Sequence, residues 1–258
     1  MLTYRKFLLI ILLLSVLLLA AGWLFRFLDI WLVSVLLLLN AALLATGSFL
    51  VCSGLYVHAL CSAVTDERKL AITFDDGPHP LFTPRVLDLL KERGVKAGFF
   101  VIGEKLKGHE HIIRRIIEEG HMIGNHSFAH VNHYGFMGTR KIIADLEKNQ
   151  MLIENTCGKK VKLFRPPFGV TNPNIARAVK VLDYRVAGWS IRSFDTVKRK
   201  EAKTINRVVR RIKPGGIILF HDTHERILPL LIAVLDAARE KGYEIIRPDQ
   251  LLGINAYR

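Results

Sequence analysis

The chain has 258 residues, half of them hydrophobic, with mean hydropathy +0.26, 23% charged residues and a formal net charge of +14. A disordered chain, a collagen, a coiled coil and a disulfide-built miniprotein are all excluded by that balance. The three cysteines, Cys52, Cys61 and Cys157, support no disulfide framework and are expected as buried or interfacial thiols.

The apolar excess sits at the N-terminus. Phe7 to Phe25 and Ile30 to Val57 carry no charge over 19 and 28 residues. A helix rising about 1.5 Å per residue crosses a hydrocarbon core about 30 Å thick with such lengths. Residues 1–65 are therefore expected to form a transmembrane helical anchor in the cytoplasmic membrane, with spans near 7–25 and 30–57 joined through Arg26 to Asp29. Asn40, Gly47 and Gly54 are either contacts to the first helix or passengers within the second run. Arg5 and Lys6 outnumber Arg26 by one, a margin that favours both chain ends in the cytoplasm but leaves the side of the following domain open.

Residues 66–258 suffice for one domain, with 34 Lys and Arg against 22 Asp and Glu beyond residue 65. Such a basic domain beside a membrane is drawn to anionic lipid or an anionic surface polymer, and no nucleic-acid partner is expected. In chain order, strands are predicted at 70–74, 97–102, 121–124, 163–165, 185–189, 216–220 and 244–246. Helices are predicted at 83–93, 112–119, 139–155, 172–182, 205–212 and 228–241. Gly94, Gly120, Gly158 and Gly242 follow helical patterns as terminators. The alternation implies an α/β fold, a shortened or irregular (β/α) barrel of about seven parallel strands.

Polar residues collect after five of these strands: Asp75 and Asp76; Asn125, His126 and His130; Arg165; Ser190 and Asp195; His221 and Asp222. Strand C-termini share one rim in a parallel barrel, so these groups are expected to converge. Adjacent carboxylates call for a cation, and His126 and His130, four apart, would face one side of a helical turn. Two histidines and one carboxylate leave positions open for water and substrate, the pattern of a catalytic rather than a structural metal site. His133 is a reserve ligand, and the remaining histidines are expected mostly on loops or the surface. Phe168, Trp189 and Phe194 are candidates for stacking on sugar rings or for packing. Lys198 to Lys213 holds eight Lys or Arg in sixteen positions, either a solvated helix face or a surface for anionic lipid or polymer.

Thr73-Phe74-Asp75-Asp76-Gly77-Pro78, His126-Ser127-Phe128-Ala129-His130, Arg165-Pro166-Pro167-Phe168-Gly169 and Leu219-Phe220-His221, in that order, resemble the motifs of the polysaccharide deacetylases, carbohydrate esterase family 4, or NodB-homology domains. The resemblance covers about residues 66–250. It implies a distorted barrel of fewer than eight strands, a divalent metal such as Zn2+, and removal of N-acetyl groups from amino-sugar polymers. By position it implies Asp76, His126 and His130 as metal ligands, Asp75 as general base, His221 as general acid, Arg165 as the partner of the base and Asp195 as the carboxylate supporting this acid–base machinery. Apart from the resemblance, Phe168 and Trp189 are the candidate substrate-binding residues. The fourth motif departs from the family's Asp-x-x-Asp-Trp: the chain reads Arg192-Ser193-Phe194-Asp195-Thr196, which alters the groove more than the chemistry.

The expected function is a membrane-anchored, metal-dependent hydrolase acting on a cell-wall or cell-surface glycan, such as peptidoglycan. Asp75 would activate water on the metal, and His221 would protonate the leaving amine. The alternatives are an O-acetyl esterase or deformylase on a lipid-linked sugar, and an inactive sugar-binding module.

Overall fold

The computed structural model describes residues 4–25, 30–197 and 200–258; the connecting turn Arg26 to Asp29, and Lys198 and Arg199 of the basic stretch, lie outside the described residues. Helices α1 (Tyr4–Phe25) and α2 (Ile30–Phe49) are both long and apolar enough to cross a bilayer. They pack against each other, and Asn40 Nδ2 donates to Ser15 Oγ at 3.0 Å across the interface. A polar pair of this kind fixes helix register where apolar packing alone is permissive.

The second apolar run is not one long helix to Val57. It stops at Phe49 and continues as a 3₁₀ turn over Val51–Ser53, because Val51 is buried in the core of the following domain and Gly54 adopts a left-handed φ of 69°. The cysteines differ from expectation as well. Cys52 and Cys61 form a disulfide across a separation of nine residues, leaving Cys157 as the free thiol among the described residues. They meet because the chain folds back after Gly54 into β1 (Ala59–Leu60), a strand too short for any sequence period to reveal.

Eight further strands come after it: β2 (Lys69–Gly77), β3 (Gly98–Val101), β4 (Met122–Asn125), β5 (Leu163–Phe164), β6 (Arg185–Ala187), β7 (Ile191–Arg192), β8 (Gly216–His221) and β9 (Glu244–Ile245). All pair in parallel, in the order β1-β6-β5-β4-β3-β2-β8-β7 with β9 beside β2, and form a curled half-barrel α/β fold. The seven predicted strands are all present, and the two-residue strands β1 and β7 extend the sheet at its two ends. Between them run α3 (Phe82–Glu92), α4 (Gly103–Leu106), α5 (Glu110–Glu118), α6 (Thr139–Cys157), α7 (Pro173–Val181), α8 (Glu201–Val209) and α9 (Ile227–Glu240), and α10 (Pro248–Leu251) follows β9.

Central strand β2 is buried almost throughout, which explains its unbroken apolar run Leu70-Ala71-Ile72. Phe74 stacks between Phe99 of β3 and Phe220 of β8, with ring centroids 5.0 and 6.0 Å away. Helix faces close the core at the helical spacing: Val86, Leu87 and Leu90 from α3, Ile112, Ile113 and Ile116 from α5, and Leu230, Leu231 and Val234 from α9. Helix α7 begins where Asn172 accepts from the Ile175 N–H at 2.8 Å, a side-chain cap ahead of Pro173.

Candidate active site

Register brings the polar residues together. Asp75 of β2 lies opposite His221 of β8, and Asn125, which ends β4, lies opposite Phe164, so that His126 and Arg165 leave the sheet side by side. Neighbouring parallel strands are about 4.8 Å apart, so residues distant in sequence become close neighbours on the C-terminal rim. Asp75, Asp76, His126, His130, Phe168, Trp189, Arg192 and His221 all line one cleft of about 250 Å³.

Asp76 Oδ1 is buried without a hydrogen-bond partner, and the Nε2 atoms of His126 and His130 converge on it at 3.4 and 3.3 Å. One donor atom from each of these residues lies within 4.8 Å of the others. His126 Nδ1 is 2.8 Å from the Arg165 carbonyl, which accepts its N–H and orients Nε2 toward Asp76. Burial, followed by the neighbouring His126, pushes the His130 imidazole down to about 4, so that ring is neutral at ordinary pH. An orphaned carboxylate oxygen on which two imidazole nitrogens converge fits a divalent cation better than a hydrogen-bonded cluster.

The two histidines are not on a helical turn. Residues 126–133 form an irregular loop in which Ser127 and His130 take left-handed φ values of 68° and 46°. The loop is held by hydrogen bonds that fold it back on itself. Asn125 Oδ1 accepts from Ser127 N, Ser127 Oγ accepts from His130 N, and the Asp145 carboxylate of α6 accepts from Phe128 N and Ala129 N. Asp76 and Phe168 are left-handed as well, at φ 70° and 59°; such backbone strain persists where the surroundings over-determine it.

Arg165 is fully buried. Its Nη1 donates to Asp75 Oδ1 at 2.7 Å and Thr73 Oγ1 at 2.9 Å, its Nη2 to the Gly188 carbonyl at 2.8 Å, and its Nε to the Ala187 carbonyl at 3.2 Å. Asp75 is thereby fixed in orientation, its Oδ2 3.9 Å from His126 Nε2. Across the cleft, Asp195 accepts from the His221 backbone N–H at 2.7 Å and from Ser193 Oγ at 2.7 Å, and lies 2.9 Å from His221 Nδ1 and 3.2 Å from His224 Nε2. Burial alone would raise the Asp195 carboxyl, yet His221, His224 and Ser193 hold it well below the usual carboxylate range. Burial likewise opposes protonation of His221, but Asp195 overcomes it and raises the imidazole to about 9. His221 thus carries its Nδ1 proton toward Asp195 and presents Nε2–H to the cleft.

Some contributors escape sequence reasoning. His224 contacts Asp195 although it reads as a loop histidine; its spacing of three from His221 is the available signal. Lys105 Nζ donates to the Asp76 carbonyl at 2.8 Å from a helix with no motif. His121 is buried rather than on the surface, accepting from Ala97 N at 3.0 Å, and His133 is outside the Asp76 cluster. Asp222, predicted beside His221, lies buried under the Asp75-Asp76-Gly77 end of β2, its Oδ2 accepting from Thr83 Oγ1 at 2.5 Å. A Cβ on Gly77 would sit 2.7 Å from both Asp222 carboxylate oxygens. Gly77→Ala is therefore expected to destabilise the fold by about 1–3 kcal/mol, read as a lowered urea midpoint at unchanged slope.

Comparison with known proteins agrees with this geometry. Residues 62–187 match the family model for polysaccharide deacetylase. A peptidoglycan-N-acetylglucosamine deacetylase of Bacillus cereus is 32% identical over 192 residues, covering 72% of this chain and 89% of the relative. The chain belongs to the polysaccharide deacetylase family. Another family member, the peptidoglycan-N-acetylglucosamine deacetylase PgdA of Listeria monocytogenes, is 32% identical over 187 residues, again 72% of this chain; the match spans only 39% of PgdA. Among solved structures, a peptidoglycan N-acetylglucosamine deacetylase in complex with 4-naphthalen-1-yl-N-oxidanyl-benzamide superposes with a TM-score of 0.72 at 28% identity, covering 77% of this chain and 94% of that one. The family match covers β2 to β6, while α1, α2, β1 and β7 to β9 lie outside it.

Proposed function

We propose that the chain is a membrane-anchored, metal-dependent deacetylase that removes N-acetyl groups from amino-sugar residues of a cell-wall or cell-surface glycan. Residues 1–65 serve as the anchor and 66–258 as the catalytic domain, with β1 lent to its sheet by the anchor side. The observation that carries the proposal is one cleft holding a candidate metal triad between an arginine-clamped carboxylate and an aspartate-backed histidine.

Asp76, His126 and His130 would hold the ion, and two imidazoles with one carboxylate suit Zn2+. When bound, such a cation polarises a carbonyl and acidifies water. Asp75 Oδ2 accepts the water proton, while Arg165 holds this carboxylate in orientation through its other oxygen. His221 Nε2–H protonates the departing amine, since an amide nitrogen leaves poorly as an anion. Phe168, 4.7 Å from the His130 ring, and Trp189 form apolar walls on which a sugar face stacks.

Acetate release from N-acetylglucosamine oligomers tests the proposal. Turnover is expected to vanish with chelator and return with Zn2+; release of acetate only from O-acetyl esters, or of formate from N-formyl sugars, would replace it with the alternative chemistry, and chelator-insensitive or absent turnover would overturn it.

The disulfide between Cys52 and Cys61 supports the oxidising side of the membrane as the site of the domain, opposite to the side favoured by the one-residue charge margin. In intact cells, a membrane-impermeant maleimide is expected to modify Cys52 and Cys61 only after reduction. Labelling that needs membrane permeabilisation but no reductant would put the domain inside.

A further inference from the structure

Helix α2 ends at the catalytic rim, not at the opposite end of the sheet. The carbonyl of Ser48, one residue before the last in α2, accepts from the Thr171 N–H at 2.9 Å. Thr171 is three residues beyond Phe168, hence at most about 11 Å along the backbone from the cleft wall. The next turn is fastened to the same wall. Cys52 Sγ is 3.2 Å from the Trp189 carbonyl, and a Cβ on Gly188 would collide with Cys61 Sγ and meet Val51 Cγ1 at 3.4 Å. A lipid headgroup layer is about 5–7 Å deep on each side. If α2 spans the bilayer, the cleft mouth therefore stands at the headgroups.

The surrounding surface has the composition of such a boundary. Phe49 and Leu50 are exposed at the end of α2, Phe168 is 47% exposed, and Phe136 is 92% exposed. Phe136 is tied to the same corner, since Asn172 Nδ2 donates to the Gly135 carbonyl at 2.5 Å and Gly135 packs against Val170. Arg140 and Lys141 flank it. Aromatic rings beside cationic side chains suit the membrane interface.

On the cleft wall, Arg192 stands where the family motif has an aspartate. Its guanidinium is exposed, lies over the rings of Trp189 and Phe194 at 5.7 and 4.9 Å, and has no carboxylate partner within 4 Å among the described residues. A guanidinium fixed by aromatic faces with its N–H donors unspent suits a phosphate.

We propose that the cleft opens onto the membrane surface and takes its amino sugar while that sugar is still joined through phosphate to a lipid, with Arg192 binding the phosphate. This rests on the deacetylase reading and narrows its substrate. The chemistry remains amide hydrolysis: water adds to the acetyl carbon, the C–N bond breaks, acetate carries away the water oxygen and the amine takes a proton, while the sugar–phosphate bond stays intact.

The full-length protein in lipid nanodiscs would be given polyprenyl-phosphate-linked N-acetylglucosamine, soluble N-acetylglucosamine 1-phosphate and uncharged N-acetylglucosamine oligomers, with acetate as the readout. The lipid-linked sugar is expected to exceed both soluble substrates in kcat/KM by about tenfold or more. Arg192→Ala is expected to cut its kcat/KM by about tenfold more than that of the oligomers, with Arg192→Lys restoring part of the difference. Equal turnover of oligomer and lipid-linked sugar, equal turnover of the soluble phosphate, or an equal effect of Arg192→Ala on all three overturns the proposal while leaving the deacetylase reading intact; no acetate from any substrate sinks both.

A second measurement is independent of catalysis. Phe136→Trp in a Trp23→Phe/Trp31→Phe background is expected to add blue-shifted emission that lipids with brominated acyl chains quench. Emission quenched by aqueous iodide and untouched by bromolipid would show that this face is turned away from the bilayer.

Discussion

His221→Ala is expected to lower kcat by about 10²–10⁴-fold while leaving bound metal unchanged, measured by acetate release alongside metal analysis of the purified protein. The separation of effects comes from geometry. His221 lines the cleft but is not one of the three converging donors, and its own partner is Asp195 on the far side. A His221→Ala protein that lost its metal would make His221 a ligand instead of the acid. The same pairing sets the pH response. Because the folded His221 is raised from 6.5 to about 9, its contribution to stability is fully present below about pH 6.5 and is lost as pH rises through about 9. Turnover should fall on the alkaline side over the same protonation, with its midpoint at or below about 9, since a bound cation nearby repels the imidazolium proton.

Arg165→Met should be the most damaging change to both fold and activity. The substitution keeps bulk but strands the Asp75 carboxylate and the Ala187 and Gly188 carbonyls in a buried site, and breaking such a pair by removing one partner costs about 3–5 kcal/mol. Unfolding in urea reads the loss, and acetate release should fall with it as Asp75 loses its fixed orientation. Adding Asp75→Asn to Arg165→Met should recover part of the stability but none of the activity, because the stranded charge is gone while the base is gone too. Recovery of turnover in the double variant would remove Asp75 from its role. Arg165→Lys should fall between, as an ammonium cannot reach Asp75, Thr73 and two carbonyls from one planar fork.

The site residues are legible in the sequence because a parallel sheet imposes a simple rule: polar residues after strand ends share a rim. Asp75, Asp76, His126, Arg165, Asp195 and His221 therefore emerge from the apolar runs and the polar residues at their C-terminal ends. His224 and Lys105 do not, since each acts through a contact made by a loop or helix with no motif of its own; Asp222 emerges with His221, but its burial beneath Gly77 does not. The H-x-x-x-H spacing reads as a helical turn, whereas the imidazoles are brought together by left-handed Ser127 and His130 and by Asp145 reaching over from α6. Spacing alone does not distinguish these, because a side chain on a separate helix supplies the hydrogen bonds that close the loop.

Cys52 and Cys61 teach the same lesson. Counting cysteines near an apolar segment gives no reason to join them, and their pairing exists only because Val51 leaves the helix for the core and Ala59–Leu60 adds to the sheet beside Val186 and Ala187.

By itself the sequence determined the two apolar helices, the alternating α/β pattern and the chemical identity of the cleft, since these depend on period, run length and residue type, which are local properties of the chain. Only the tertiary structure decided the loop that presents His130, the backing of His221, the disulfide, and the junction of α2 with the catalytic rim. Each of those depends on contacts between segments far apart in the chain, whose meeting is set by sheet register and core packing.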